Sequence, residues 1–134
     1  MPVSAAKQLS LFLENRPGVL AKLCRAMAAA RISLKAISVS DSVDHAVVRV
    51  VVDKPARACR LFEDHNVLVI ESEVLAVDIP DRPGELGKVA ARLSKAGLNI
   101  NYLYGSSPDG QGHGTLYLRV GGARGKALAA LRGG

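Results

Sequence analysis

The sequence predicts an α+β protein made of two copies of one β-α-β-β-α-β unit, and three observations predict it. Glu14-Asn15-Arg16-Pro17-Gly18-Val19-Leu20-Ala21-Lys22 recurs as Pro80-Asp81-Arg82-Pro83-Gly84-Glu85-Leu86-Gly87-Lys88, an offset of 66 residues. The order of later segments is kept: Ala30-Arg31-Ile32-Ser33-Leu34 matches Ala96-Gly97-Leu98-Asn99-Ile100, and His45-Ala46-Val47-Val48 matches His113-Gly114-Thr115-Leu116. Within each copy, strand-like alternation gives way to helical spacing and returns. The repeat divides the chain into residues 1–71 and 72–134, units of about 65 residues, a size at which a single core is marginal.

In the first unit, Leu9, Leu11 and Leu13 alternate with Ser10, Phe12 and Glu14, the period of a strand. Arg16-Pro17-Gly18 stops it. Leu20, Leu23, Met27 and Ala30 then recur at helical spacing, so residues 19–30 form an amphipathic helix. Ile32 to Val39 begin a second strand, Asp41-Ser42-Val43-Asp44 reads as a turn, and Val47 to Val52 form a β-branched third strand. Asp53 is placed to cap a second helix with Pro55 in its first turn and Ala58, Leu61 and Phe62 inward. Val67 to Ile70 make the fourth strand.

The second unit repeats this order: strand 74–79, helix 85–96 ended by Gly97, strand 98–105, strand 114–120 and helix 124–131. Pro108-Asp109-Gly110-Gln111-Gly112 is a hairpin loop. The layout is the split βαβ of ferredoxin-like folds, with antiparallel sheets packed side by side. Gly133-Gly134 stands where an eighth strand should begin, so the second sheet is expected to lack its last strand and to expose an edge, or the chain to be truncated. An exposed edge recruits partners, which points to a homodimer.

Composition narrows the function. The chain of 134 residues is 49% hydrophobic and 22% charged, enough apolar residue for a packed, mostly aliphatic core. Its net charge of +6 invites a nucleic-acid reading, yet residues 1–71 carry ten basic and seven acidic side chains and residues 72–134 eight and five. That is an even +3 per unit with no basic arm. RNA recognition on this topology also wants aromatic platforms on the central strands; in the first unit the strands Leu34 to Ser40 and Ala46 to Val52 have none, and the second offers only Tyr102, Tyr104 and Tyr117. Cys24 and Cys59 form no paired-thiolate motif and read as small core residues of a reducing compartment. His45 and His113 are repeat-equivalent positions rather than a metal pair, and His65 sits at a helix end that favours a cation. No nucleophile, base and orienting group stand together in a recognisable pattern, so no enzyme, metal or cofactor is expected. No apolar run approaches the ~20 residues of a membrane span, and no leader pattern opens the chain, so a cytoplasmic location is expected.

The loop before each first helix carries the one suggestive chemistry. A strand ending at Asn15 or Asp81, then Arg-Pro-Gly and a helix, gathers free backbone N–H groups and the positive end of a helix dipole. Such a spot can hold a carboxylate. Gly18 and Gly84 let a ligand approach the main chain, and Asn15 or Asp81 could accept hydrogen bonds from an ammonium group, which together suit an α-amino acid. The same tripeptide also serves as a plain strand-to-helix turn.

Two copies of this unit, each opening Asn/Asp-Arg-Pro-Gly-x-Leu, resemble tandem ACT domains from Leu9 to Leu131. Leu9 to Asn15, Val74 to Asp81 and Asn99 to Tyr104 resemble small stand-alone bacterial proteins made only of two such domains. The resemblance implies a regulatory protein that binds an amino acid at interfaces between ACT domains. Carried over to matching positions, the ligand contacts would be Asn15, Arg16, Gly18, Val19 and Leu20 in one copy and Asp81, Arg82, Gly84, Glu85 and Leu86 in the other. A facing second strand would add side chains near Ser38 or Tyr102 and Tyr104. The copies are not equivalent, since Glu85 stands where the first has Val19. The resemblance also leaves open a regulatory subunit of a biosynthetic enzyme such as acetolactate synthase.

Overall fold

The computed structural model describes residues 2–41, 44–106 and 112–133. The Ser42-Val43 turn and residues 107–111 of the glycine-rich hairpin lie outside the described residues. Among those described, six strands and four helices follow in the order β1 (Val3–Glu14), α1 (Val19–Ala29), β2 (Leu34–Asp41), β3 (His45–Val52), α2 (Pro55–Asp64), β4 (Leu68–Pro80), α3 (Glu85–Lys95), β5 (Ile100–Ser106), β6 (His113–Val120) and α4 (Arg124–Arg132). The fold is α+β with two βαββαβ-like units. One compact unit is Lys7–Ser72, called here the N-terminal unit; the other, the C-terminal unit, joins the residues up to Ala6 with those from Glu73 onward.

In the N-terminal unit the sheet order is β2-β3-β1-β4. β3 runs antiparallel to both neighbours, with Leu11 opposite Val48 and Val39 opposite Val48 on its other side. Leu9, Leu11 and Leu13 face one way, as their alternation requires, and meet Leu23 and Met27 of α1 and Ala58 and Phe62 of α2 in one core. Asp53 does not cap α2. Lys54 holds that position without a side-chain bond. The Asp53 carboxylate instead accepts the Ser33 N–H at 2.9 Å while its own N–H donates to the Ser33 carbonyl, tying the start of β2 to the end of β3. Cys59 is half-buried, but Cys24 lies on the exposed side of α1 and is no core residue.

The C-terminal unit corrects the expectation of an open edge. Residues from Glu73 onward supply three strands and end on α4, but the fourth place in the sheet is filled by Val3–Ala6, giving the order β1-β4-β6-β5. The Asp78 N–H donates to the Pro2 carbonyl at 3.0 Å, and the Arg132 guanidinium donates to the Val3 carbonyl at 3.1 Å. Val3 joins Leu75, Val77, Val89, Leu93, Leu118 and Leu131 in the core. Unpaired N–H and C=O groups along β4 would otherwise be an exposed template for another strand. A cut between residues 71 and 72 therefore misplaces the first six residues. The two strands read at 67–70 and 74–79 are parts of one, β4, because Glu71-Ser72-Glu73 contains no turn-forming Gly, Pro or Asn.

Three helices end alike. Arg31, Asn66 and Gly97 follow α1, α2 and α3 with φ of 59°, 60° and 75°, and the next residue's N–H reaches back five residues, as from Ile32 to Met27 and from Leu98 to Leu93. Gly97 fits this left-handed position, whereas Arg31 bears a Cβ penalty of about 1–2 kcal/mol. Arg31→Gly is expected to raise the unfolding free energy by up to about 1 kcal/mol once glycine's greater unfolded-state freedom is subtracted. Val3→Ala should lower it by about 1.5 kcal/mol, two buried methylene equivalents. Urea unfolding reads both, and an unchanged midpoint for Val3→Ala would show that this residue does not seal the sheet.

Candidate functional site

Both Arg-Pro-Gly loops are built the same way. Gly18 and Gly84 take φ of 89° and 90° immediately before α1 and α3, a conformation that lets the chain leave the strand and start a helix within four residues. Neither helix start has a side-chain cap, which leaves first-turn N–H groups without an intrahelical partner; at α3 the Glu85 N–H donates instead to the Arg82 carbonyl at 3.5 Å. The loop is pinned from the neighbouring hairpin, the Asn15 N–H donating to the Asp44 carbonyl at 3.1 Å and the Asp81 N–H to the Gly112 carbonyl at 2.9 Å.

A cavity lies beside each loop. In the N-terminal unit it has a volume of about 290 Å³, with Phe12, Arg16, Val19, Lys22, His45 and His65 among its walls. In the C-terminal unit it measures about 310 Å³ and is bounded by Asp81, Arg82, Gly84, Glu85 and Leu86 together with Gly87, Gly105, Gly114 and Leu116. Both are at the small end of the range for ligand pockets. All five loop residues expected in the second copy thus converge on one cavity. In the first copy only Arg16 and Val19 do; Asn15 and Gly18 stay on the exposed loop, and Leu20 packs against the core.

Ser38, Tyr102 and Tyr104 do not line either cavity. Ser38 sits on β2 opposite Arg49, and Tyr102 on β5 opposite Arg119. Tyr104 stacks on Tyr117, with ring centroids 5.7 Å apart and planes 23° from parallel. Residues that sequence reasoning missed are Lys22, His65 and the three glycines 87, 105 and 114. Gly105 has a readable signal, an isolated glycine within a strand, which often marks a close backbone approach. A Cβ at Gly105 would lie 2.5 Å from the Thr115 carbonyl oxygen, so a side chain there would displace β6.

The cavities differ in charge. Glu85 is buried at the first position of α3, and its Oε1 accepts hydrogen bonds from Arg82 Nε at 2.7 Å and Lys88 Nζ at 3.2 Å. Those two bonds, Arg82's first, outweigh the effect of burial and hold its pKa below the ordinary glutamate value. In the N-terminal unit Arg16 pairs with Glu14 at 2.7 Å on the surface, and Val19 takes the helix-start position. His65 closes α2 as expected, its Nδ1 donating to the Leu61 carbonyl at 2.8 Å. Burial, then the Glu63 carboxylate that its thiol contacts at 3.3 Å, push the Cys59 pKa up, away from nucleophile behaviour. Among the described residues no group of three or more His, Cys, Asp or Glu could hold a metal ion, and no helix is long and apolar enough to cross a membrane.

A doubled βαββαβ unit with a glycine-turned loop and a cavity at each first helix is an architecture that does not by itself fix one activity. The chain belongs to the ACT domain pair family, whose model matches residues 4–127. A crystal structure of a protein from Bacteroides thetaiotaomicron has a TM-score of 0.91 at 29% identity, covering 98% of this chain and 89% of that one. The regulatory subunit of aspartate kinase from Thermus thermophilus, in its ligand-free form, has a TM-score of 0.71 at 19% identity over 98% of this chain and 93% of its own. That from Thermus flavus has 0.67 at 20%, over 98% and 94%. No curated protein matches the sequence.

Because the folded-state pKa of Glu85 is depressed, its ion pair stabilises the fold fully above the ordinary glutamate pKa, and that contribution is lost as pH falls through the lower folded value. Glu85→Gln should therefore melt below the wild type at pH 7 and converge with it in acid. Melting curves from pH 7 to pH 2 test this, and a gap that persists at the acid end would assign the loss to packing instead.

Proposed function

We propose that the protein is a non-catalytic regulatory sensor that binds an α-amino acid at its Asn/Asp-Arg-Pro-Gly loops and passes occupancy on to its own assembly or to a partner. The observation that carries this reading is the coincidence, in both units, of a positive-φ glycine, an uncapped helix start and a cavity of about 290 or 310 Å³. Free N–H groups and the helix dipole suit a carboxylate, and Asn15 or Asp81 would take the ammonium group. Signalling follows by population shift: an arrangement that completes the pocket is favoured only to the extent that it binds the ligand better than its alternatives.

A second copy of the chain is the natural completing partner, giving a homodimer with the ligand between ACT units of two chains. The edge once expected beside β4 no longer supports this, but β2 does. It is the edge of the N-terminal unit's sheet and exposes Leu34, Ile37 and Val39 at 41%, 38% and 54%. A row of unpaired main-chain groups with apolar side chains is a surface for sheet-to-sheet joining. The likeness in fold to aspartate kinase regulatory subunits favours, as a second reading, a regulatory chain that attaches to a biosynthetic enzyme.

A thermal-shift series against the twenty amino acids tests the sensor. A true ligand at 100 times its Kd adds about 2.7 kcal/mol of stability, and a flat series would remove the reading. Gly18→Val and Gly84→Val then assign the binding, since a Cβ at either position meets no neighbour within 4 Å and so disturbs the loop conformation and its approach rather than the packing. Co-purification of a catalytic chain would favour the subunit reading.

A further inference from the structure

The two cavities share a scaffold and differ in what occupies the helix start. In the C-terminal unit Glu85 sends a carboxylate, with its side chain only 6% exposed, to the cationic pair Arg82 and Lys88, both of which bond the same oxygen. Glu85 Oε2 receives no hydrogen bond among the described residues, and Asp81 brings a second carboxylate to the cavity wall. In the N-terminal unit the equivalent of Glu85 is Val19, which has no charge. Arg16 is held by Glu14 at the surface, and the side chain of Lys22, the equivalent of Lys88, makes no hydrogen bond or ion pair among the described residues. Lys22, Arg16, His45 and His65 all line that cavity, against the single carboxylate of Glu14.

An anion entering the N-terminal cavity finds a basic wall and an uncapped helix start. One entering the C-terminal cavity finds the place beside Arg82 already filled by the protein's own Glu85 carboxylate, and like charges at close range repel. Taking the amino-acid reading above as its setting, we infer that the two sites have opposite charge selectivity: the N-terminal cavity takes the side-chain or main-chain carboxylate of an acidic small molecule near Lys22, and the C-terminal cavity refuses it because Glu85 is a built-in occupant. The depressed pKa of Glu85 keeps that occupant ionised at neutral pH. The repeat therefore holds one open acid site and one self-filled copy.

Amide spectra of the ¹⁵N-labelled full chain, titrated separately with succinate, L-glutamate, L-leucine and L-lysine, test the assignment. Succinate and L-glutamate should shift Gly18 and Val19 and leave Gly84 and Glu85 in place, with L-leucine and L-lysine weaker at Gly18 by about tenfold. Glu85→Val, which copies the first unit, should make Gly84 respond to succinate; Glu85→Gln, which keeps the shape and removes the charge, should do so more weakly. Lys22→Gln should weaken succinate at Gly18 by about tenfold. Gly84 responding in the wild type as strongly as Gly18, or both amides silent toward the two acids, would overturn the inference. L-leucine matching L-glutamate at Gly18 would overturn it while leaving the amino-acid sensor intact. Succinate binding at Gly18 with no response to any amino acid would do the reverse.

Discussion

The C-terminal unit is closed by residues from the opposite end of the chain. Its own segments provide three strands and two helices, which leaves the edge of β4 away from β6 without a neighbour strand. Val3–Ala6 supply that strand, held by main-chain pairing at Asp78 and by Arg132 reaching back to the Val3 carbonyl across 129 positions of sequence. A small unit has little core to spare, so a strand that buries even one valine and satisfies a row of backbone groups matters to it. The loop and helix α3 follow directly from the far end of β4.

Much of this was legible in the residues. Most of the core-facing pattern was periodic in the sequence, as in Leu9, Leu11 and Leu13 on β1 or in Val89 and Leu93 four apart on α3. The N-terminal part of β1 was not legible, because Val3-Ser4-Ala5-Ala6 has one strongly β-forming residue and gains its strand only from a distant partner. Asp53 looked like a helix cap; the Ser33 N–H, twenty residues away, competes for the same carboxylate and wins. The loops declared themselves through Pro and Gly, whereas Lys22, His65 and Gly114 reach the cavities from segments whose convergence no local pattern encodes.

The repeat has been kept in backbone and released in chemistry. Both glycines before α1 and α3 hold φ near 90°, because no other residue takes that conformation without strain, and both loops are pinned to the adjoining hairpin. The side chains around them diverge: valine against buried glutamate, and a lysine side chain without a partner among the described residues against lysine in an ion pair. Identical geometry with different charge is what allows one copy to be specialised without disturbing the other's fold.

The walls of the two cavities are also made of different material. Gly84, Gly87, Gly105 and Gly114 bound the C-terminal cavity with main chain, and at Gly105 there is no space for even a methyl group. Such a wall has no rotamers, so its shape changes only when backbone moves, collectively and on slow timescales. Phe12, Arg16, Lys22 and His65 bound the N-terminal cavity with side chains that can re-orient within picoseconds to nanoseconds where exposed. The N-terminal cavity can mould itself to a guest one side chain at a time, while the glycine-built wall of the C-terminal cavity yields only with its backbone, leaving adjustment to the side chains beside it, such as Arg82 and Leu86.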